Sequence, residues 1–101
     1  MVARIATYSF TGDAQELGRR AEAGILPILK EQPGFKSYAV AIGDGTVFSS
    51  SVWDTRADAE AGSAAVASWV AENMTEISLN EVHYGEVLFS TSLGVSTADS
   101  A

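Results

Sequence analysis

The chain has 101 residues, a hydrophobic fraction of 47%, a charged fraction of 19% and a formal net charge of −7, the profile of a single globular domain. It contains no cysteine, which excludes disulfides, thiolate metal sites and a cysteine nucleophile. Its basic residues, Arg4, Arg19, Arg20, Lys30, Lys36 and Arg56, are scattered, so neither nucleic acid nor an anionic membrane is expected as a partner.

The start, Met1-Val2-Ala3-Arg4-Ile5, lacks the apolar run of a signal peptide, and no stretch approaches transmembrane length. A cytoplasmic protein is expected. Val2 to Phe10 alternates, with Arg4, Ala6 and Tyr8 on one side and Ala3, Ile5 and Thr7 on the other, which predicts a first strand. Thr11-Gly12 turns the chain. Asp13 with Glu16 three residues later is a capping-box signature, and Leu17, Ala21, Ile25, Ile28 and Leu29 form an apolar stripe at helical spacing. Pro27 lies inside that stripe, so a kink is expected near Ala23-Gly24.

Pro33-Gly34 stops the helix, and two apolar runs then flank Asp44-Gly45, a strong hairpin signal. A type I′ turn there sets the register. One face pairs Ile42 with Val47, Val40 with Ser49, Tyr38 with Ser51 and Lys36 with Trp53. The other pairs Ala41 with Phe48, Ala39 with Ser50 and Ser37 with Val52, with Phe35 at its end. Asp54 or Thr55 caps a second helix, whose predicted buried face is Ala59, Gly62, Val66, Trp69, Val70 and Met74. Alternation resumes from Ile77 to Phe89. From Ser90 the composition is that of a loose tail, so the expected organisation is one domain over 1–89 and a flexible segment over 90–101.

Strand, helix, strand, strand, helix, strand predicts an α+β fold of the ferredoxin-like βαββαβ kind, an antiparallel sheet in order 4-1-3-2 with both helices on one face. The other face is left open, and Tyr8, Tyr38, Val40, Ile42 and Trp53 are candidates for it. An apolar patch of that size predicts a homodimer through the open face.

Leu26-Pro27-Ile28-Leu29 before Gln32-Pro33-Gly34-Phe35, the short hairpin, and Val52-Trp53-Asp54-Thr55 opening an Ala/Asp-rich helix resemble the dimeric α/β-barrel superfamily. Within it the chain is similar, over roughly residues 2 to 89, to the antibiotic-biosynthesis-monooxygenase-like domains. The resemblance implies a dimeric barrel, and an activity such as cofactor-independent oxygenation of aromatic polyketides and quinols, or haem degradation. Gly62 and Glu72 stand where haem-degrading members carry Trp and His, and Tyr8 stands near the place of the first strand's usual asparagine. Haem cleavage is therefore not expected, and no cofactor is.

His83, the sole histidine, is the candidate general base, placed with Tyr8, Tyr38 and Trp53 in a cleft of the open face. A surface histidine is the competing reading, and without His or Cys companions no metal site is expected. Tyr38 is the second catalytic candidate. Tyr8, Trp53, Arg4 and Trp69 are candidate substrate contacts, although both tryptophans also read as core and Arg4 as a partner of Glu81 or Glu86. Ser49-Ser50-Ser51 reads as small residues leaving room in the sheet. Two functions remain open: a cofactor-free monooxygenase of a small aromatic or apolar molecule, held between sheet and helices, and a non-catalytic dimeric module that binds such a ligand or stabilises a partner.

Overall fold

A computed structural model describes residues 1–97. It contains β1 (Val2–Phe10), α1 (Ala14–Lys30), β2 (Phe35–Gly43), β3 (Thr46–Trp53), α2 (Arg56–Asn73) and β4 (Ile77–Glu86). The strands form one antiparallel sheet in the order β2-β3-β1-β4, the expected order read from the other edge. This is the ferredoxin-like arrangement.

Local chemistry fixes the ends of the elements. The Asp13 carboxylate accepts from the Gln15 amide at 3.1 Å, and the Thr55 hydroxyl accepts from the Asp58 amide at 3.1 Å, so each helix starts on a side-chain cap. Asp44 and Gly45 both take positive φ, 53° and 72°, as a type I′ turn requires. α1 continues as helix across Pro27 to Lys30; the proline does not interrupt it.

The hairpin register agrees with the turn except at its open end. There a bulge lies between Phe35 and Ser37, and Phe35, not Lys36, stands opposite Trp53. The bulge turns the Phe35 ring onto Trp53, edge-on at 5.4 Å between centroids. Lys36 reaches the Asp54 carboxylate at 3.2 Å instead. A second irregularity, between Thr7 and Tyr8, shifts the pairing of β1 with β4 and leaves Asn80 as the extra residue.

The helices cover the face that carries Ala6, Ser49, Ser51 and Trp53, all buried. Tyr8, Tyr38, Val40 and Ile42 share its parity, so the face expected to be open is the covered one. The core sits at one end of it. Trp53 is 1% exposed and packs with Ile25, Leu29 and Ala59, and its indole N–H donates to the Ser51 hydroxyl at 2.9 Å. Its ring lies where a side chain at Gly62 would stand. Gly24 makes the same allowance for Trp69, so α1 and α2 approach closely across that ring. The open face carries Ala3, Ile5 and Thr7 of β1, Phe48 and Val52 of β3, and Glu81 and His83 of β4. After β4, Ser90 and Val95 close a local turn through two backbone hydrogen bonds. The rest of the expected tail, 98–101, lies outside the described residues.

Candidate functional site

A cavity of about 520 Å³ lies between α1 and the sheet, at the end away from Trp53. Its existence follows from side-chain size. On β3 the covered face presents Ser49 between Val47 and Ser51, and this small side chain forms the cavity floor, leaving the space above it unfilled. Leu17, Ile25, Val66 and Val70 close it from the helix side, and Tyr8, Phe10, Tyr38 and Val47 from the sheet. Val40 and Ile42, also in its wall, remain about half exposed at 49% and 50%. The helix layer does not reach over the outer half of β2, and the cavity opens on that side. Gln15, Arg19 and Glu22 of α1 supply polar groups to its wall. The volume and apolar lining are those of a small-molecule site.

At the inner end stands a group of phenols around one cation. Arg4 and Tyr8 are four residues apart on β1 and point to the same side, which brings the guanidinium to the Tyr8 hydroxyl in a long hydrogen bond of 3.4 Å. Tyr84 stands opposite Arg4 on β4, and its oxygen also favours the charged guanidinium. Burial opposes the Arg4 charge, but the oxygens of Tyr8 and Tyr84 outweigh it and hold the guanidinium above the ordinary arginine value. Its Nε–H is buried and has no partner among the described residues. Tyr38, in the same row across the sheet, has its pKa pushed up to about 12, chiefly by burial and further by Tyr8, against a smaller opposing effect of Arg4. It is a neutral hydroxyl at any physiological pH.

The structure brings Tyr8, Tyr38 and Arg4 together and leaves the other candidates elsewhere. Trp53 is core. Trp69 fills the space between the helices at Gly24 and is not part of the cavity wall. His83 stands opposite Ile5 on the open face, with its side chain 73% exposed and Nε2 3.5 Å from the Glu81 carboxylate. It is separated from Tyr8, Tyr38 and Trp53 by the sheet itself, because strand parity places odd and even residues of β1 on opposite sides. Neither expected partner of Arg4 reaches it. Glu81 is on the open face with His83, and Glu86 lies 3.7 Å from the terminal amine of Met1. Sequence reasoning missed Glu22, Gln15 and Arg19. Their signal was weak: they flank the apolar stripe of α1 as any solvated helix residue does. Among the described residues no group of His, Cys, Asp or Glu is placed to hold a metal ion, and no helix is long and apolar enough to cross a membrane.

The ferredoxin-like fold is one this domain shares with solved antibiotic-biosynthesis-monooxygenase-type proteins. No protein-family model matches the chain, and no curated protein does. Solved structures do. SnoaB, a cofactor-independent oxygenase from Streptomyces nogalater, is similar with a TM-score of 0.71 at 14% identity, over 89% of this chain and 95% of that one. A putative antibiotic biosynthesis monooxygenase from Chloroflexus aurantiacus matches with a TM-score of 0.63 at 22% identity, over 93% and 100% of the two chains. A mutant of MhuD with two manganese protoporphyrin IX bound per active site matches with a TM-score of 0.68 at 14% identity, over 90% and 98%. At these identities the similarity speaks to the fold.

Proposed function

We propose that this protein is a dimeric α/β barrel whose cavity between α1 and the sheet binds a small aromatic or apolar molecule. The observation that carries the reading is the cavity itself, about 520 Å³ and kept hollow by Ser49 where a larger residue would have closed it. A well-packed core does not leave such a volume without a use, since each void costs contacts. Titration of the purified protein with a neutral anthracene-type compound tests this by fluorescence. Saturable binding is expected in wild type, with loss in Ser49→Phe, which fills the floor. Absence of binding in wild type would overturn the reading.

Catalysis is the second reading, favoured by the Tyr8 and Tyr38 hydroxyls beside Arg4 at the inner end. SnoaB, which shares the fold, is described as a cofactor-independent oxygenase. In this chain the corresponding chemistry starts from a phenol or quinol ligand that has given its proton to solvent; the electron-rich anion supplies the electrons that form a C–O bond to dioxygen, and the resulting peroxide takes up a proton from solvent. Tyr38 and Tyr8 would hold the oxygen of that anion. Anaerobic incubation with a dihydroanthracene-type or quinol substrate, then admission of oxygen, separates the two readings. Oxygen uptake that collapses in Tyr38→Phe supports the enzyme; binding without uptake leaves the ligand-binding module.

Self-association rests on the open face. Ile5 and Phe48 are 50% and 46% exposed there, side by side with Ala3, Ala39, Ala41 and Val52. A second copy packed face to face would remove this surface from water at about 25 cal/mol per Å². A stable interface of this kind exceeds roughly 1,000 Å². A dimer by light scattering at micromolar concentration is expected, and a monomer or aggregate in Ala39→Asp, which puts a charge on that face. A monodisperse wild-type monomer would overturn the dimer.

A further inference from the structure

Arg4 stands behind Tyr8 at the inner end of the cavity, outside its wall, and no carboxylate among the described residues pairs with it. The chain carries 13 acidic residues. Yet the guanidinium meets only the phenols of Tyr8 and Tyr84, and its buried Nε–H meets no acceptor among the described residues. The guanidinium is half-buried, and its charge, without a carboxylate beside it, favours an anion at this end of the cavity.

The direction of the hydrogen bonds sharpens this. Guanidinium only donates, so the Tyr8 oxygen is the acceptor in their contact and the Tyr8 hydrogen is free to point away from Arg4. Tyr38, which lines the cavity beside Tyr8, makes no hydrogen bond to another described residue, and burial keeps it protonated. Two hydroxyl hydrogens, with a cation behind Tyr8, give this end donors backed by positive charge. It matches an anionic oxygen better than a neutral group, because charge-assisted bonds are the stronger ones. The remaining wall is apolar, apart from Ser49 on the floor and the polar groups of α1.

Building on the cavity as a ligand site, the geometry points to a specific ligand class: a flat apolar molecule bearing one ionised oxygen group, a carboxylate or an acidic phenol, bound with that oxygen against Tyr8 and Tyr38 in front of Arg4. Arg4 is then a specificity-determining residue that acts through Tyr8.

Two probes of equal shape test it, anthracene-2-carboxylate and anthracene-2-carboxamide, titrated by fluorescence against the full chain at neutral pH. Wild type is expected to prefer the carboxylate by about tenfold or more, the scale of one charge-assisted hydrogen bond. Arg4→Gln should bring the ratio of the two affinities close to one, whereas Arg4→Lys should retain most of it. Tyr38→Phe, which removes a hydroxyl and no packing volume, should lower the ratio severalfold and serves if Arg4→Gln does not fold. Equal binding of both probes to wild type would overturn the anionic ligand while leaving the cavity as a ligand site. A preference that persists in Arg4→Gln would overturn the role of Arg4. Binding of neither probe would overturn both this inference and the ligand-binding function on which it rests.

Discussion

At one end of the helix layer the Trp53 ring, 1% exposed, occupies the space a side chain at Gly62 would take and packs edge-on against Phe35. At the other end Ser49 faces α1 across a cavity of about 520 Å³. One strand, β3, supplies both ends, with Ser49 and Trp53 on the same face of it. The difference is where volume was placed: a large ring against glycine makes a solid core, and a small residue under a helix makes a hollow. Stability is concentrated at the first end, which leaves the second free to receive a ligand.

Trp53→Ala strikes the solid end and should have the largest effect, a loss of about 3–5 kcal/mol in denaturant unfolding. Ser49→Leu at the hollow end adds volume into space and should change stability by less than about 1 kcal/mol. Comparable losses at both sites would erase the contrast.

The hollow end also has a signature in alkali. The Tyr38 hydroxyl has a pKa of about 12 in the folded chain against 10.0 for an ordinary tyrosine. The folded state therefore holds this proton more tightly, and its contribution is fully present below pH 10 and lost as pH rises toward 12. The loss amounts to at most about 2.7 kcal/mol. Stability measured across that window should fall less in Tyr38→Phe than in wild type. Parallel curves would place Tyr38 in water.

Away from both ends, Gly45→Val tests the hairpin that carries the β2 wall of the cavity. An added Cβ meets nothing within 4 Å, but φ is +72°, so the cost is backbone strain alone, on the order of 1–2 kcal/mol. Unchanged stability would mean the turn relaxes to another type. Truncation from Leu93 should have the smallest effect. It removes the Ser90–Val95 bridge and the bond of the Leu93 amide to the Ser90 hydroxyl, and the melting temperature should stay within error of wild type; a clear drop would show that this segment packs on the domain.

The candidate site was half legible in the sequence. Tyr8 and Tyr38 emerged because their parity and the Asp44-Gly45 register put them on one side of neighbouring strands, and the structure keeps them there. His83 was grouped with them because parity within β4 says which residues share a side but not how that side relates to β1. Pairing supplies the answer: His83 stands opposite Ile5, not opposite an even-numbered residue of β1. Arg4 reads as an ion-pair partner of Glu81 or Glu86 because the topology puts β1 beside β4. Only the sheet shows that Glu81 is on the other face.

What the sequence by itself determined was local: the order of six elements, the Asp13 and Thr55 caps, the type I′ turn and nearly all of the hairpin register. Each follows from interactions between residues a few positions apart, which operate before any distant packing. Which face of the sheet the helices cover was decided only in the tertiary structure. Both faces carry apolar residues, so strand periodicity was satisfied either way. The choice falls to volumes from distant segments, since the Trp53 ring needs Gly62 of α2 above it, and the bulge beside Lys36 lets Phe35 join it. That choice buries Arg4 among the tyrosines and leaves His83 in solvent.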